Sequence, residues 1–202
     1  MPIVHIPIPF ELPQPPDSAA IDATLQQYGV TRGRYLFNPN GIQDFKGYPL
    51  LLETTQKLRT QSSFEDVVLV TAGRKRDWQP RDDVAERNGE LLYLGTIPHG
   101  DVIKLAGGAL ITAVVGTESL SRSALECIAA GGNVIVPSLP EFLDSIPAHV
   151  MAADGAEALS KQIIDLTQRK AFPNYPLSSH EIESVVEQYR MLERPPVSRG
   201  SA

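Results

Sequence analysis

Apolar positions along the chain alternate between short runs of buried-strand length and longer stripes at helical spacing. Arg34–Asn38, Asp66–Thr71, Leu91–Leu94, Ala109–Val115 and Asn133–Val136 have the length of strands, and Val150–Ala152 is a shorter one. Between them fall helical patterns. Ala19–Tyr28 follows Asp17 and Ser18, either of which can cap it, and stops at Gly29. Tyr48–Thr60 puts Leu50, Leu51, Thr54 and Leu58 on one face. Asp101–Ala106 reads as a short helix, and a longer one follows Ser119 or Ser121 and ends at Gly131-Gly132. Asp154 caps Ala156–Arg169, and Ser178-Ser179 caps His180–Glu193. The stretch AGRKRDWQPRDD after the second strand reads as a polar loop.

Strands that alternate with helices form βαβ units and hence a parallel sheet. The expected fold is α/β: a doubly wound, Rossmann-like parallel sheet with helices on both faces. In such sheets the ligand site lies at the carboxyl ends of the strands. The expected organisation is a proline-rich lead-in over 1–18, the Rossmann-like domain over 19–177, a C-terminal helix over 178–194 and a tail over 195–202.

Composition narrows the class. With 202 residues the chain fits one domain or slightly more. A formal net charge of -6 argues against nucleic acid or an anionic membrane as a partner. Cys127 is the single cysteine, so no intramolecular disulfide can form, which suits a reducing, cytoplasmic setting. The N-terminus is broken by prolines and has no basic start, unlike a signal peptide. Leu105 to Gly116 is the longest apolar stretch and is too short for a transmembrane segment. No metal-ligand cluster stands out; His5, His99, His149 and His180 are scattered and read as single surface or core histidines.

The candidate chemistry gathers in Ala109–Pro137, a strand, loop, helix, turn and strand. Glu118 sits in the loop, and Glu126 sits about two turns inside a helix whose other residues nearby are small or apolar. A carboxylate in such a helix is costly unless it is hydrogen-bonded. At helical rise the two acids stand about 10 Å apart. That is too far for one metal or a shared proton, and it suits a long ligand that meets one acid with each end. The helix N-terminus between them favours a phosphate.

The spacing Glu118-x7-Glu126 resembles the Glu-x7-Glu motif of retaining glycosyltransferases of the GT-B fold, family 4, the glycosyl transferases group 1 type. Further pieces resemble that family in the same order. They are Lys46-Gly47 after the first strand, Leu94-Gly95-Thr96-Ile97-Pro98 after the third, Pro140-Glu141 after Asn133–Val136, and the terminal helix. The resemblance implies the donor-binding half of such an enzyme, which transfers a hexose from a nucleoside diphosphate sugar to an acceptor. It implies that Lys46 stabilises the diphosphate leaving group and that Glu118 contacts the donor sugar; these are the catalytic candidates. It implies that Glu126 holds the ribose, that Thr96 and Ile97 meet the base, and that the N–H groups of Ser119, Leu120 and Ser121 face the diphosphate or sugar. Arg122 is a further candidate phosphate ligand. Asn40 or Gly41 stands where the family has an arginine, and Ser-Leu-Ser replaces its Gly-Phe-Gly. A local basic cluster, Arg74, Lys75, Arg76 and Arg81, is an alternative source of phosphate cation or else a solvated charged loop. No cofactor or metal is implied beyond the nucleotide-sugar itself. The family's N-terminal, acceptor-binding half is not in this sequence, so the resemblance implies that half on another chain or in a larger protein of which this is a part. If the apolar face that would meet that half is exposed, a homodimer through it or through the last helix is the further expectation. The alternative reading is a non-catalytic or degenerate nucleotide-binding or interaction module. A dinucleotide-binding oxidoreductase domain ranks lower, because no strand is followed by Gly-x-Gly-x-x-Gly.

Overall fold

The computed structural model describes residues 9, 11, 13–116, 122–138, 155–169 and 177–193. The chain divides into two compact units, Pro13–Tyr175 and a smaller one of Met1–Leu12 with Pro176–Ala202.

The larger unit holds a five-stranded sheet, all parallel: β1 (Tyr35–Asn38), β2 (Val68–Thr71), β3 (Leu91–Tyr93), β4 (Ile111–Ala113) and β5 (Val134–Ile135). The spatial order is β3-β2-β1-β4-β5. The chain therefore builds outward from β1 through β2 to β3, then returns to the other side of β1 for β4. The helices are α1 (Ser18–Tyr28), α2 (Tyr48–Arg59), α3 (Pro80–Arg87), α4 (His99–Gly108), α5 (Arg122–Ala129) and α6 (Ala156–Arg169).

Each sheet face is buried, which is why the strands read as continuous apolar runs rather than alternating ones. Leu36, Leu69, Leu91, Ile111, Ala113 and Ile135 join Leu51, Leu52 and Leu58 of α2 and Leu159 and Ile163 of α6 in one core cluster. On α1 and α4, which pack together, Ile21, Leu25, Leu105 and Ala106 are buried, and the Tyr35 hydroxyl donates to the Leu105 carbonyl. Burial pushes the Tyr35 pKa up.

The local signals of α1 act as expected. Asp17 caps it by accepting from the Ala20 N–H at 2.7 Å, and Gly29 ends it in the left-handed region at φ 68°. Two elements differ from expectation. The polar stretch after β2 contains α3, whose start is a reciprocal cap. The Gln79 side chain takes the N–H of Asp82, Asp82 takes the N–H of Gln79 at 2.6 Å, and Pro80 sits in the first turn. α4 begins at His99 and runs through Gly107 and Gly108 rather than stopping before them. Those glycines face α1: a β-carbon on Gly107 would stand 3.0 Å from Ile21 Cδ1, and one on Gly108 3.0 Å from Leu25 Cδ1.

In the smaller unit a 3-10 turn, Leu177–His180, precedes α7 (Ile182–Glu193), so Ser178-Ser179 belong to the turn and not to the α-helix cap. Val185 is buried, while Ile182, Val186, Tyr189 and Met191 are exposed. The expected strand Val150–Ala152, the cap Asp154 and the pair Pro140-Glu141 lie outside the described residues. Among the described residues, no helix is long and apolar enough to cross a membrane.

Candidate active site

β1 and β4 are adjacent strands from which the chain runs outward in opposite directions along the sheet, and in doubly wound sheets the ligand crevice forms at the carboxyl ends of such a pair. Backbone contacts close those ends into a shelf. Gly73 N–H donates to the Gly95 carbonyl at 2.8 Å, tying the loops after β2 and β3. Ile42 N–H donates to the Arg74 carbonyl at 2.8 Å and the Ile42 carbonyl accepts from Arg76 N–H at 3.0 Å, tying the loops after β1 and β2. Gly41, at φ 73°, lies so close that a β-carbon would collide with the Arg74 carbonyl.

The loop after β1 is ordered by buried amides. Asn38 donates to the Gly41 carbonyl at 2.8 Å and to Thr71 Oγ1 at 3.0 Å. Its own Oδ1 accepts from the Asn40 N–H at 3.0 Å, and the Asn40 carbonyl accepts from Gln43 Nε2 at 2.6 Å. A 3-10 turn, Asp44–Lys46, carries the loop to Gly47 at φ 79°, the residue before α2. Here the loop meets the end of β4. A β-carbon on Gly47 would stand 2.8 Å from the Val115 carbonyl oxygen, and one on Gly116 would stand 2.8 Å from Lys46 Cα. The Lys46 backbone is thus fixed beside Gly116. The side-chain ammonium lies 5.4 Å from the centre of the Phe45 ring.

Next to the shelf is a cavity of about 210 Å³ lined by Pro39, Ala72, Gly73, Thr96, Ile97, His99 and Val102. It contains both residues expected at the base. His99 connects this cavity to Glu126: its Nε2 stands 3.0 Å from Glu126 Oε2. Arg122 Nε donates to Glu126 Oε1 at 2.9 Å from one helical turn away. The Glu126 side chain is 12% exposed, whereas those of His99 and Arg122 are 66% and 69% exposed. The carboxylate is satisfied as its burial requires, and its neighbours Ala124, Leu125, Cys127 and Ile128 are buried. Burial also pushes the Cys127 thiol pKa up, with the Glu126 charge adding to the effect.

The structure therefore brings Asn40, Gly41, Lys46, Thr96 and Ile97 to one edge, with Arg122 and Glu126 joined to it through His99. Gly41 is occupied by packing against Gly73 and Arg74, so its part is to set the loop's path. Glu118, Ser119, Leu120 and Ser121 lie outside the described residues. Glu126 lies on α5, whose residues before Arg122 are outside the described ones. His99 is the residue that sequence reasoning misses. Its partner is 27 positions away, and only its place directly after Gly95–Pro98 hints at the site. The basic cluster is neither wholly solvated nor gathered on the crevice. The Lys75 ammonium lies 3.2 Å from the Trp78 ring centre, and Arg81 lies 3.7 Å from Asp82 and 3.9 Å from Asp44. Among the described residues, no group of three or more His, Cys, Asp or Glu is placed to hold a metal ion.

No protein-family model and no curated sequence relative matches the chain. Solved structures do. HepE from Anabaena, in a crystal structure with UDP-glucose, superposes with a TM-score of 0.69 at 15% identity, over 91% of this chain and 55% of HepE. The α/β, Rossmann-like fold of the chain matches that of GT-B glycosyltransferase structures over part of their length. WaaG, a glycosyltransferase involved in lipopolysaccharide biosynthesis, matches with a TM-score of 0.62 at 13% identity, over 94% of this chain and 51% of its own. TarM matches with a TM-score of 0.68 at 11% identity, over 91% and 37%. At these identities the likeness is one of fold. The chain spans about half the length of HepE and WaaG.

Proposed function

We infer that this chain is the nucleotide-sugar-binding half of a retaining glycosyltransferase that transfers a hexose to an acceptor. The observation that carries the reading is the contact of the Lys46-Gly47 loop with Val115-Gly116 at the crevice between β1 and β4. It holds the Lys46 backbone at the carboxyl ends of β1 and β4, from where an ammonium can reach a diphosphate; a cavity lined by Thr96 and Ile97 and the carboxylate of Glu126, suited to ribose hydroxyls, support the same reading. HepE was crystallised with UDP-glucose, which supports the same ligand class here.

In this reading the base enters the cavity of Thr96 and Ile97, and Glu126 receives the ribose hydroxyls. Lys46 and Arg122 meet the phosphates as their negative charge grows, which stabilises the transition state more than the ground state. Glu118 orients the sugar, and the backbone N–H groups of Ser119 to Ser121 face the diphosphate. No metal is required when ammonium, guanidinium and N–H dipoles carry that charge. The acceptor binds against an N-terminal half, on a longer form of this chain or on a second chain.

A binding module without catalysis is the second reading. It is favoured by Asn40 and Gly41, which stand where the resembled family has an arginine, with Gly41 committed to packing on Arg74. Calorimetric titration with UDP, GDP and ADP, repeated on Glu126→Ala, tests the site. Binding of one nucleotide that is lost in the variant supports the donor half and names the base. Absence of binding to all three excludes a working donor site.

A further inference from the structure

Glu126 is held from two sides. Arg122 Nε donates to Oε1 at 2.9 Å, and His99 Nε2 lies 3.0 Å from Oε2. A carboxylate has no proton to give, so the imidazole is the donor, with its proton on Nε2. A carboxylate offers about four acceptor sites, two on each oxygen. Against the described residues, one site is then left on each oxygen, which matches the two hydroxyls of a ribose. A glutamate with two flexible torsions before its carboxylate would otherwise lose rotamer freedom on binding.

His99 is placed for this task by its own element. It is the first residue of α4, directly after the Gly95–Pro98 turn, and it also lines the 210 Å³ cavity. One side chain thus touches both the expected base cavity and the expected ribose acid. It is largely exposed, so no packing need accounts for its position.

Resting on the donor-half reading, we propose that His99 is a positioning residue that aims Glu126 at the ribose and sets the preference for a ribonucleotide over its 2′-deoxy form. With both oxygens held in place, a ligand that donates a hydroxyl to each gains more from the ordering than one that donates to a single oxygen.

The test is calorimetric titration of the whole chain with UDP, GDP, ADP and their 2′-deoxy counterparts. Wild type, His99→Ala, His99→Gln and Glu126→Ala are compared. For the nucleotide that binds, His99→Ala is expected to weaken the ribo form about tenfold and leave the 2′-deoxy form within about twofold. His99→Gln, which keeps an N–H donor at similar reach, is expected to restore the preference. An unchanged ribo-to-deoxy ratio in His99→Ala, with the ratio lost in Glu126→Ala, overturns the role of His99 and spares the donor site. Equal weakening of both forms makes His99 a wall of the cavity only and likewise overturns it. If Glu126→Ala keeps the full preference, or wild type binds no nucleotide, the underlying site reading falls and this proposal with it.

Discussion

Gly116 and Lys46 lie backbone against backbone: a β-carbon on Gly116 would stand 2.8 Å from Lys46 Cα. The reciprocal contact is made one residue further on each side, where Gly47 faces Val115. These contacts set the lysine's position by main-chain packing. Gly116→Ala is therefore expected to push the two loops apart. It should cost about 1–3 kcal/mol of stability, the range for overpacking a close site. Urea unfolding would show the loss, and titration with the bound nucleotide should show weakened affinity in the same variant.

Lys46→Ala removes the charge and keeps the main-chain contacts of Gly47 and Gly116 and the Asn38 and Gln43 bonds that order the loop. Nucleotide affinity is expected to fall about tenfold or more, as for the loss of a charge-assisted bond. Calorimetry of the nucleoside diphosphate against the monophosphate would assign the loss to the second phosphate.

Tyr48 and Asp82 form a buried pair. The Tyr48 hydroxyl donates to Asp82 Oδ1 at 2.8 Å, and Asp82 is fully buried. Burial pushes the Tyr48 pKa up, and the bond to Asp82 pushes it further. Tyr48→Phe leaves a buried carboxylate oxygen short of a donor while its other oxygen still caps α3. The expected cost is about 1–3 kcal/mol, read from the urea midpoint.

Asp101 gives a pH signature. Burial raises its pKa, but hydrogen bonds from Lys104 at 3.0 Å and Tyr28 at 2.9 Å, with the charge of Lys104, outweigh this and hold it below 3.8. A native pKa below the unfolded one means that the stabilisation is complete above the unfolded value. It is lost as pH falls through the native value. Asp101→Asn should therefore reduce stability at neutral pH and flatten its decline below about pH 4, measured as urea midpoints across that range.

How much of this was legible in the sequence depends on how local each signal is. The cap Asp17, the stop Gly29 and the apolar face of α2 act within a few residues, and the sequence pattern predicts them closely. α3 is hidden because little of it is buried; Asp82 and Ala85 are its buried residues, so no apolar stripe marks it. Its cap, Gln79 with Asp82 around Pro80, was the signal to read. Gly107 and Gly108 suggest a turn by their type, yet they belong to α4 because α1 approaches too closely for side chains. Lys46-Gly47 and Thr96-Ile97 are readable as loop chemistry at strand ends. The His99–Glu126 contact joins α4 to α5 and has no local trace.

The glycine face of α4 reaches further than the packing it permits. Tyr28, the last residue of α1, bonds Asp101 near the start of α4, while Ile21 and Leu25 seat against Gly107 and Gly108 near its end. α1 therefore runs alongside α4 along its length and holds the helix that presents His99. A library selected for altered nucleotide preference should return substitutions at Ile21 and Leu25, two positions that touch no ligand. Each would shift the imidazole by tilting its helix, so the proposed nucleotide site would be retuned from the opposite end of α4.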